Sequence, residues 1–308
     1  MRDSFVAQLL EMAEQDDRLI LLTGDLGFGI FDEFTKRFPK QFLNVGVSEQ
    51  NMIGVATGLA LEGWTVFSYS IGNFGMLRCL EQIRNDAAYH DVNVTVVTSG
   101  GGFTYGGLGM SHHATEDISI LRALPGVTVV VPCDAYESRH ATRELASLSG
   151  VGYLRIEKNT PLSTEMTGGE FNVGKARRIR EGKDVSLICT GGITNEAMLA
   201  ADQLEKVGYS VRVVSMHTVK PIDSDEVRDC LENTGGIVTI EENNIVGGLG
   251  GAVAEVIAEV GSNGFFKRMG MHDVYSSVVG SQEYLREYYK MDAPAIYKTA
   301  LGLIQRND

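Results

Sequence analysis

The sequence has 308 residues, of which 44% are hydrophobic and 22% are charged, with 36 glycines and only 6 prolines. This composition is typical of an ordinary globular protein and excludes a disordered or collagen-like chain. The formal net charge of −13 leaves no basic excess for a phosphodiester backbone, so nucleic acid is not an expected partner. A chain of this length predicts two domains.

The N-terminal segment turns polar too early for a secretory signal, and no apolar run approaches the roughly 20 residues that a membrane span needs. We therefore expect a cytoplasmic protein that does not bind a membrane. The cysteines lie far apart and form no Cys-x-x-Cys pair, so we predict no metal site built by this chain alone. They are Cys79, Cys133, Cys189 and Cys230.

Short β-branched and aliphatic runs alternate with helical patterns along the chain, which predicts parallel sheets with helical crossovers. In the first half, the predicted strands are residues 19–22, 42–45, 65–69, 94–98, 127–131 and 153–156. The predicted helices are residues 4–13, 50–62, 76–89 and 136–148. A long glycine-rich loop at 99–116 follows the fourth strand, and such loops in compact domains are usually functional or mobile.

The alternation breaks between residues 161 and 182, where Thr, Gly and charged residues dominate, and then resumes. The later predicted strands are 185–189, 211–214 and 237–240, and the later helices are 195–207, 250–260, 281–289 and 294–304. We therefore predict an α/β protein made of two tandem three-layer α/β/α domains with mainly parallel sheets. The expected domains are residues 1–165 and 183–308, joined by a linker at 166–182.

The segment Gly-Val-Ser-Glu-Gln-Asn at 46–51 follows a predicted strand and opens an apolar helix. In the simplest interpretation, Ser48 caps this helix and Glu49 balances the helix dipole in the first turn. The helix is apolar on nearly every side, however, which predicts that it is buried at the carboxyl edge of a strand. Because open α/β sheets bind ligands at that edge, Glu49 is a candidate functional residue.

This segment resembles the glutamate motif in the pyrimidine-binding domain of thiamine diphosphate enzymes of the transketolase family. Glu-Gln-Ile-Arg-Asn-Asp at 81–86 resembles the cofactor-facing helix of that domain, and Gly-Met-Ser-His-His at 109–113 resembles its histidine-bearing loop. Segments 219–223, 241–243 and 247–251 are similar to the C-terminal domain of the family. The order and spacing agree along nearly the whole chain, which thus resembles the C-terminal subunit of a split transketolase.

The resemblance implies that Glu49 is catalytic. It would hydrogen-bond the ring nitrogen of the aminopyrimidine and favour the tautomer that removes the thiazolium proton. Asp25, Leu26, Ile71 and Phe74 fall at or near cofactor-binding positions. A core contact remains the alternative for Phe74, and a plain strand-end turn residue remains the alternative for Asp25.

The expected acceptor site departs from the family pattern. Arg2 and Lys158 stand at phosphate-binding positions, although a lysine keeps the charge without the bidentate fork of an arginine. Gly100 and Leu108 replace the histidine and the aspartate with which transketolases bind phosphate and read hydroxyl stereochemistry. We therefore predict that the acceptor is not one of the common pentose phosphates.

Four further residues are substrate-binding candidates. His112 matches the histidine that assists proton transfers on the oxygens of the donor, and His113 lies beside it in the same loop. As substrate-binding residues, Arg78 and Arg155 would compensate for the missing phosphate partners. For each arginine, an ordinary ion pair remains the alternative.

The metal-binding half of the site is missing from this chain. The family holds Mg²⁺ or Ca²⁺ with Gly-Asp-Gly and a distal Asn, whereas Gly24-Asp25-Leu26 lacks the second glycine and the sequence offers no such pair. The resemblance therefore implies that an N-terminal transketolase subunit, which carries the diphosphate-binding domain, is the partner in an α2β2 heterotetramer. Alone, this chain should be inactive.

The implied reaction transfers a two-carbon ketol unit from a ketose donor to an aldehyde acceptor, both small molecules. Two alternatives stay open. The first is a beta subunit of an oxo-acid dehydrogenase or decarboxylating acyl transferase, which shares the glutamate and the histidine. The second is a non-catalytic scaffold subunit that has kept the fold.

Overall fold

The computed structural model describes residues 1–157, 170–262 and 264–306. Its strands are β1 (Leu19–Thr23), β2 (Phe42–Asn44), β3 (Thr65–Ile71), β4 (Val94–Ser99), β5 (Val127–Val130), β6 (Val151–Ile156), β7 (Arg177–Arg180), β8 (Val185–Thr190), β9 (Val211–Ser215), β10 (Thr218–Lys220), β11 (Ile237–Asn244) and β12 (Phe266–Met271). Its α-helices are α1 (Arg2–Gln15), α2 (Asp32–Arg37), α3 (Glu49–Leu61), α4 (Gly72–Met76), α5 (Leu80–Gln82), α6 (Asp117–Arg122), α7 (Ala135–Leu145), α8 (Thr194–Lys206), α9 (Ser224–Asn233), α10 (Leu249–Val260), α11 (Gln282–Tyr288) and α12 (Ala293–Ile304). No helix in these described ranges has both the length and the apolar character needed to cross a bilayer.

The first sheet has seven strands in the order β10-β5-β6-β4-β3-β1-β2, and its only antiparallel pair joins β10 to β5 in the described chain. Strands β1, β4 and β6 are buried along their whole length. Helices α1 and α7 form one apolar cluster with residues of this sheet, and α3 forms a second apolar cluster with other residues of the same sheet. A strand covered on both faces has no solvent-facing side, which explains the uninterrupted aliphatic runs in the sequence.

The second sheet has five strands in the order β12-β11-β8-β9-β7 and is parallel except where β7 pairs with β9. The predicted α/β class with mainly parallel sheets is therefore confirmed. Strand β7 lies inside the segment predicted as a linker, so the second sheet begins before residue 183. Strand β7 was not predicted because its sequence is charged, as is common in edge strands. Its Arg178 donates to Glu226 at 2.8 Å and to Asp229 at 2.5 Å.

The two halves of the chain are interlocked by β10, which comes from the second half but pairs with β5 of the first sheet. The register sets Thr218 opposite Val130. Next to this pair, the amide of Val131 donates to the carbonyl of His217 at 2.7 Å. A strand of three residues shows no periodicity, so the sequence pattern gave no sign that the halves share a sheet.

The single helix predicted at 76–89 is instead interrupted: it overlaps α4 only at Met76, and α5 is followed by a π-helical turn at Ile83–Ala88. Helix α4 lies directly against the sheet and the loop beyond it. A Cβ atom on Gly72 would lie 2.7 Å from the Cβ of Ala114, and one on Gly75 would lie 3.0 Å from the Cβ of Ser70. Only residues without a side chain permit this close approach of α4.

The carboxyl ends of β1, β3 and β4 lie side by side at one edge of the first sheet. In the register, Thr23 pairs with Tyr69 and Ile71 pairs with Ser99. The loops that leave these strands meet at that edge with the start of α3. This arrangement positions the candidate site.

Candidate active site

Glu49 is the first residue of α3 and is buried, with 5% of its surface exposed. Ser48 stands at the N-cap position, but its hydroxyl donates to the carbonyl of Val45 at 2.9 Å and makes no capping bond. The side-chain cap expected from the sequence is therefore wrong. The preceding turn approaches the β1 turn so closely that a Cβ on Gly24 would lie 3.3 Å from the carbonyl oxygen of Gly46.

Arg78 joins Glu49 to Phe74. Its Nη1 donates to Oε1 of Glu49 at 3.1 Å, and its guanidinium carbon lies 4.0 Å from the centroid of the Phe74 ring. The second distance is that of a cation–π contact. The arginine side chain is 49% exposed, so a buried carboxylate is paired with a cation that solvent can reach.

His112 completes this group. Its ring meets the ring of Phe74 edge-on, with 5.1 Å between the centroids. Its Nδ1 lies 3.0 Å from the hydroxyl oxygen of Ser111. The structure thus brings together four residues that the sequence singled out separately: Glu49, Phe74, Arg78 and His112.

His113 has different surroundings from its neighbour, since its side chain is buried inside the loop at 99–116. Its Nε2 lies 3.1 Å from the carbonyl oxygen of Gly106, which can only accept, so this nitrogen carries the proton. The ring of Phe103 meets it edge-on at 5.1 Å. Its Nδ1 has no hydrogen-bond partner among the described residues.

Asn73 is a site residue that sequence reasoning missed. Its side-chain amide donates to the carbonyl of His113 and, at 3.4 Å, to that of Ser111, which ties α4 to the histidine-bearing loop. Asn73 and His113 line a cavity of about 390 Å³ that reaches Tyr275 in the second half of the chain. A single polar residue in a short apolar segment was the only sequence signal for Asn73.

Asp25 is held in a reciprocal pair with Asn44. The amide of Asp25 donates to Oδ1 of Asn44 at 2.9 Å, and Nδ2 of Asn44 donates back to Oδ1 of Asp25 at 3.1 Å. The same Oδ1 of Asn44 accepts from the amide of Gly46 at 2.9 Å. Asp25 has φ +58°, a left-handed conformation that aspartate tolerates. This geometry favours the turn interpretation of Asp25, while Leu26 beside it is half-buried.

The remaining candidates lie apart from this group or outside the described residues. Arg155 is buried and donates to Asp117 at 3.2 Å and to the carbonyl of Glu242 at 2.8 Å, which favours its ion-pair interpretation. Arg2 begins α1 and lies 3.4 Å from Asp3. Ile71, half-buried, ends β3 ahead of Phe74; Lys158 lies outside the described residues.

Cys79, which lies near Glu49, is electrically neutral. Burial raises the pKa of Cys79 to about 12, and the nearby charge of Glu49 acts in the same direction. Its thiol therefore stays protonated and donates to the carbonyl of Gly75 at 3.0 Å. The ion pair with Arg78 thus carries the charge balance of this buried carboxylate.

A second cluster of potential ligands, Cys133, Asp134 and Glu137, has donor atoms within 4.8 Å of one another. Arg177 lies 2.8 Å from Glu137 and 3.7 Å from Asp134. Burial raises the pKa of the Cys133 thiol well above its ordinary value, so the thiol stays protonated. The cluster is a buried ion-pair network that joins β7 to α7.

Large apolar side chains are exposed around the carboxyl edge. Phe28 is 77% exposed and Val47 is 73% exposed, and each lies within a few residues of a site turn. Further exposed apolar side chains on loops near this edge are Leu108, Met110, Tyr275 and Val279. Apolar groups exposed beside a polar site mark an interaction surface.

Together these features define an α/β protein with a candidate ligand site at the carboxyl edge of its first sheet, around a buried carboxylate and an aromatic ring. Residues 1–161 match the family model described as "Transketolase, pyrimidine binding domain", and residues 174–296 match "Transketolase, C-terminal domain". The chain therefore belongs to the transketolase family.

Relatives named as transketolase subunits match the chain along its whole length. The 6-deoxy-6-sulfo-D-fructose transketolase subunit SqwH of Clostridium sp. strain MSTE9 is 36% identical and covers 100% of this chain and 95% of its own. A subunit of the apulose-4-phosphate transketolase of Phocaeicola vulgatus is 35% identical, with 99% and 97% covered. A solved structure titled "Split gene transketolase, inactive beta4 tetramer" superposes with a TM-score of 0.90 at 32% identity, covering 100% of this chain and 99% of that chain.

Proposed function

We propose that this chain is the catalytic C-terminal subunit of a split, thiamine diphosphate-dependent transketolase that transfers a two-carbon ketol unit from a ketose to an aldehyde. The observation that carries the proposal is the contact group of Glu49, Phe74, Arg78 and His112 at the carboxyl edge. A buried carboxylate beside the face of an aromatic ring fits an aminopyrimidine, which needs a hydrogen bond at a ring nitrogen and an apolar surface to stack on.

When bound, thiamine diphosphate supplies the nucleophilic carbon that cleavage of a ketose requires. Glu49 would hold a proton at the pyrimidine ring nitrogen, and Phe74 would orient that ring. His112 would take and return protons at the hydroxyl and carbonyl oxygens of the substrate. Arg78 would leave Glu49 and turn its charge toward the substrate. Glu49 and Phe74, with Ile71 and Leu26 nearby, are the cofactor-binding residues of this proposal.

The proposal includes a partner polypeptide that holds the diphosphate and Mg²⁺ or Ca²⁺. It is supported by the absence of a Gly-Asp-Gly and distal Asn pair from the sequence and by the apolar side chains exposed beside the site, such as Phe28 and Val47. The assembly proposed is an α2β2 heterotetramer. The relative solved as an inactive β4 tetramer is consistent with a β-type chain that lacks activity without its partner.

For the acceptor, we propose an aldehyde other than the common pentose phosphates. Gly100 and Leu108 replace two of the polar residues that bind those sugars in transketolases, and site groups left unpaired discriminate strongly between substrates. Arg2 and Lys158 remain the proposed substrate-binding residues at this end, whereas the buried hydrogen bond of His113 to Gly106 favours a structural role for that histidine. The names of the two curated relatives refer to two different sugars, so the names do not fix the acceptor. The cytoplasmic location also stays a prediction.

The test is reconstitution with the polypeptide that carries Gly-Asp-Gly and a distal Asn. We expect ketol transfer only when both chains are present. Mass spectrometry detects the products formed from several ketose and pyruvate donors. Glu49→Gln should lower turnover by at least about 10²-fold. Glu62→Gln, at the exposed end of the same helix, is the matched control and should leave it unchanged.

Each alternative predicts a different result. Turnover by the chain alone would contradict the split, and full turnover in Glu49→Gln would support a scaffold subunit. Transfer from pyruvate to a lipoyl acceptor, without transfer to any aldehyde, would identify a subunit of the oxo-acid dehydrogenase type.

A further inference from the structure

The loop that carries His112 rests on the second half of the chain. The amide of Phe103 donates to Oε1 of Glu242 at 2.5 Å. Gly102 has φ +57°, and a Cβ there would overlap the Glu242 carboxylate; a Cβ on Gly101 would overlap the guanidinium of Arg155. Three successive loop residues are therefore seated on two buried side chains.

Glu242 is itself fixed on all sides. Its carboxylate is buried and accepts from Nε of Arg286 at 2.6 Å and from Nε2 of Gln282 at 2.9 Å. Its backbone carbonyl accepts from Arg155, which is paired in turn with Asp117. Rotation of the Glu242 side chain would leave Arg286 without this partner in the interior, which is strongly unfavourable.

The residues that contact Glu242 are bonded to the far end of the segment 102–114, which holds His112. The amide of Gly102 donates to the carbonyl of Ala114 at 2.8 Å, and the amide of Ala114 donates back at 3.0 Å. The ring of Phe103 meets that of His113 edge-on. The position of residues 102–103 therefore sets the position of the chain on either side of the histidine.

We propose that Glu242 is a positioning residue that holds the histidine-bearing loop so that His112 stays against Phe74. Glu242 does not touch the reacting groups; it acts through Gly102 and Phe103. The consequence for turnover rests on the proposed function, whereas the dependence of the loop on Glu242 does not. The proposal gives the second half of the chain a part in the active site.

The experiment compares Glu242→Gln with Glu157→Gln in the complex with the partner subunit. Glu157 is an apt control because it is buried beside the same Arg286, at 3.7 Å, but it accepts from the amide of Gly192 at 2.9 Å rather than from the loop. Hydrogen exchange of peptides covering residues 100–114 reports on the loop, and steady-state kinetics report on His112.

In Glu242→Gln we expect loop exchange to rise about 10-fold, because a buried hydrogen bond is weakened. Turnover should fall by up to about 10²-fold with cofactor affinity unchanged, since a small misplacement of a catalytic group has an effect of that size. Glu157→Gln should match the wild type in loop exchange and turnover. Wild-type loop exchange in Glu242→Gln, or equal acceleration in both variants, would overturn the proposal.

If Glu242→Gln gives no cooperative unfolding transition, Glu242→Asp tests the same contact. It keeps the charge opposite Arg286 but withdraws the carboxylate from Phe103 by one methylene. Faster loop exchange is again expected, and unchanged exchange contradicts the proposal. If Glu49→Gln retained turnover, the proposed function would fail, yet loop exchange would still report on Glu242 separately.

Discussion

The guanidinium of Arg78 covers one face of the Phe74 ring, 4.0 Å from its centroid. The same side chain donates to Glu49, so one cation holds both the aromatic face and the carboxylate. A planar ligand that stacks on this face and bonds to Glu49 must displace Arg78. Because the arginine is 49% exposed, it can move into water.

Removal of Arg78 should therefore tighten cofactor binding. Displacing a cation–π contact and a solvent-screened ion pair costs at most about 1 kcal/mol each, so Arg78→Ala should bind thiamine diphosphate about 3- to 30-fold more tightly by calorimetry of the complex. Turnover should fall, because the side chain is also a proposed substrate contact. Arg228→Ala is the control, because this arginine lies on α9 and is equally exposed, at 48%. Weaker binding in Arg78→Ala alone would show that Arg78 helps to hold the cofactor.

The two adjacent histidines should respond differently to the same substitution. His112→Asn should lower turnover by about 10²-fold or more without changing the unfolding free energy. His113→Asn should lower the unfolding free energy by about 1–3 kcal/mol, because it disturbs a buried hydrogen bond to Gly106. Urea titration and steady-state kinetics on both variants test this contrast. The reverse pattern would exchange their roles.

Two glycines of one loop should differ in their tolerance of alanine. Gly102→Ala places a Cβ at positive φ against Glu242, so we expect a loss of about 1–3 kcal/mol in unfolding free energy together with reduced turnover. Gly107→Ala is the control, since its Cβ would meet nothing nearer than the carbonyl of Gly280 at 4.0 Å. Equal tolerance of both substitutions would contradict the close seating of residue 102.

Glu241 should make stability depend on pH. Burial raises its pKa to about 7 from 4.5, although the amides of Leu249 and Gly250 donate to it at 2.8 Å and oppose the shift. Between these pH values the folded chain holds a proton that the unfolded chain has released, so stability falls as pH rises.

Relative to Glu241→Gln, the unfolding free energy of the wild type should fall by up to about 3 kcal/mol from about pH 4.5 to pH 7. Urea titrations across this range provide the measurement. Glu259→Gln, at an exposed position on the neighbouring helix α10, should follow the wild type at every pH. A constant difference between wild type and Glu241→Gln would show that Glu241 does not titrate in this window.

The exposed apolar residues at the carboxyl edge should be needed for assembly. Val47→Lys places a charge on the proposed interface and should abolish co-purification with the partner subunit, while the unfolding free energy of the isolated chain stays within about 0.5 kcal/mol of the wild type. Tyr89→Ser, an exposed aromatic residue outside this edge, should leave assembly intact. Normal assembly of Val47→Lys would place the interface elsewhere.

Sequence reasoning predicted best where a local pattern has one structural solution. The buried strands β1, β4 and β6 showed as aliphatic runs, and the glutamate motif located Glu49 at the start of α3. It missed β7, β10 and β12, because short or charged edge strands have no periodic signal. It also predicted one helix over 76–89, where the chain forms α5 and a π-helical turn, and it did not predict α4. The place of α4 depends on the close approach of Gly72 to Ala114 and of Gly75 to Thr98, which are distant in sequence.

The sequence by itself determined the α/β class, the family resemblance and the candidate residues for catalysis and binding. These depend on residue types and on their spacing along the chain. Only the tertiary structure decided which of them meet. It placed Arg78 between Glu49 and Phe74, turned Arg155 into an internal ion pair, and seated the histidine-bearing loop on Glu242. Contacts between residues 139 positions apart, as for Phe103 and Glu242, arise from the packing of sheets and leave no pattern in the local sequence.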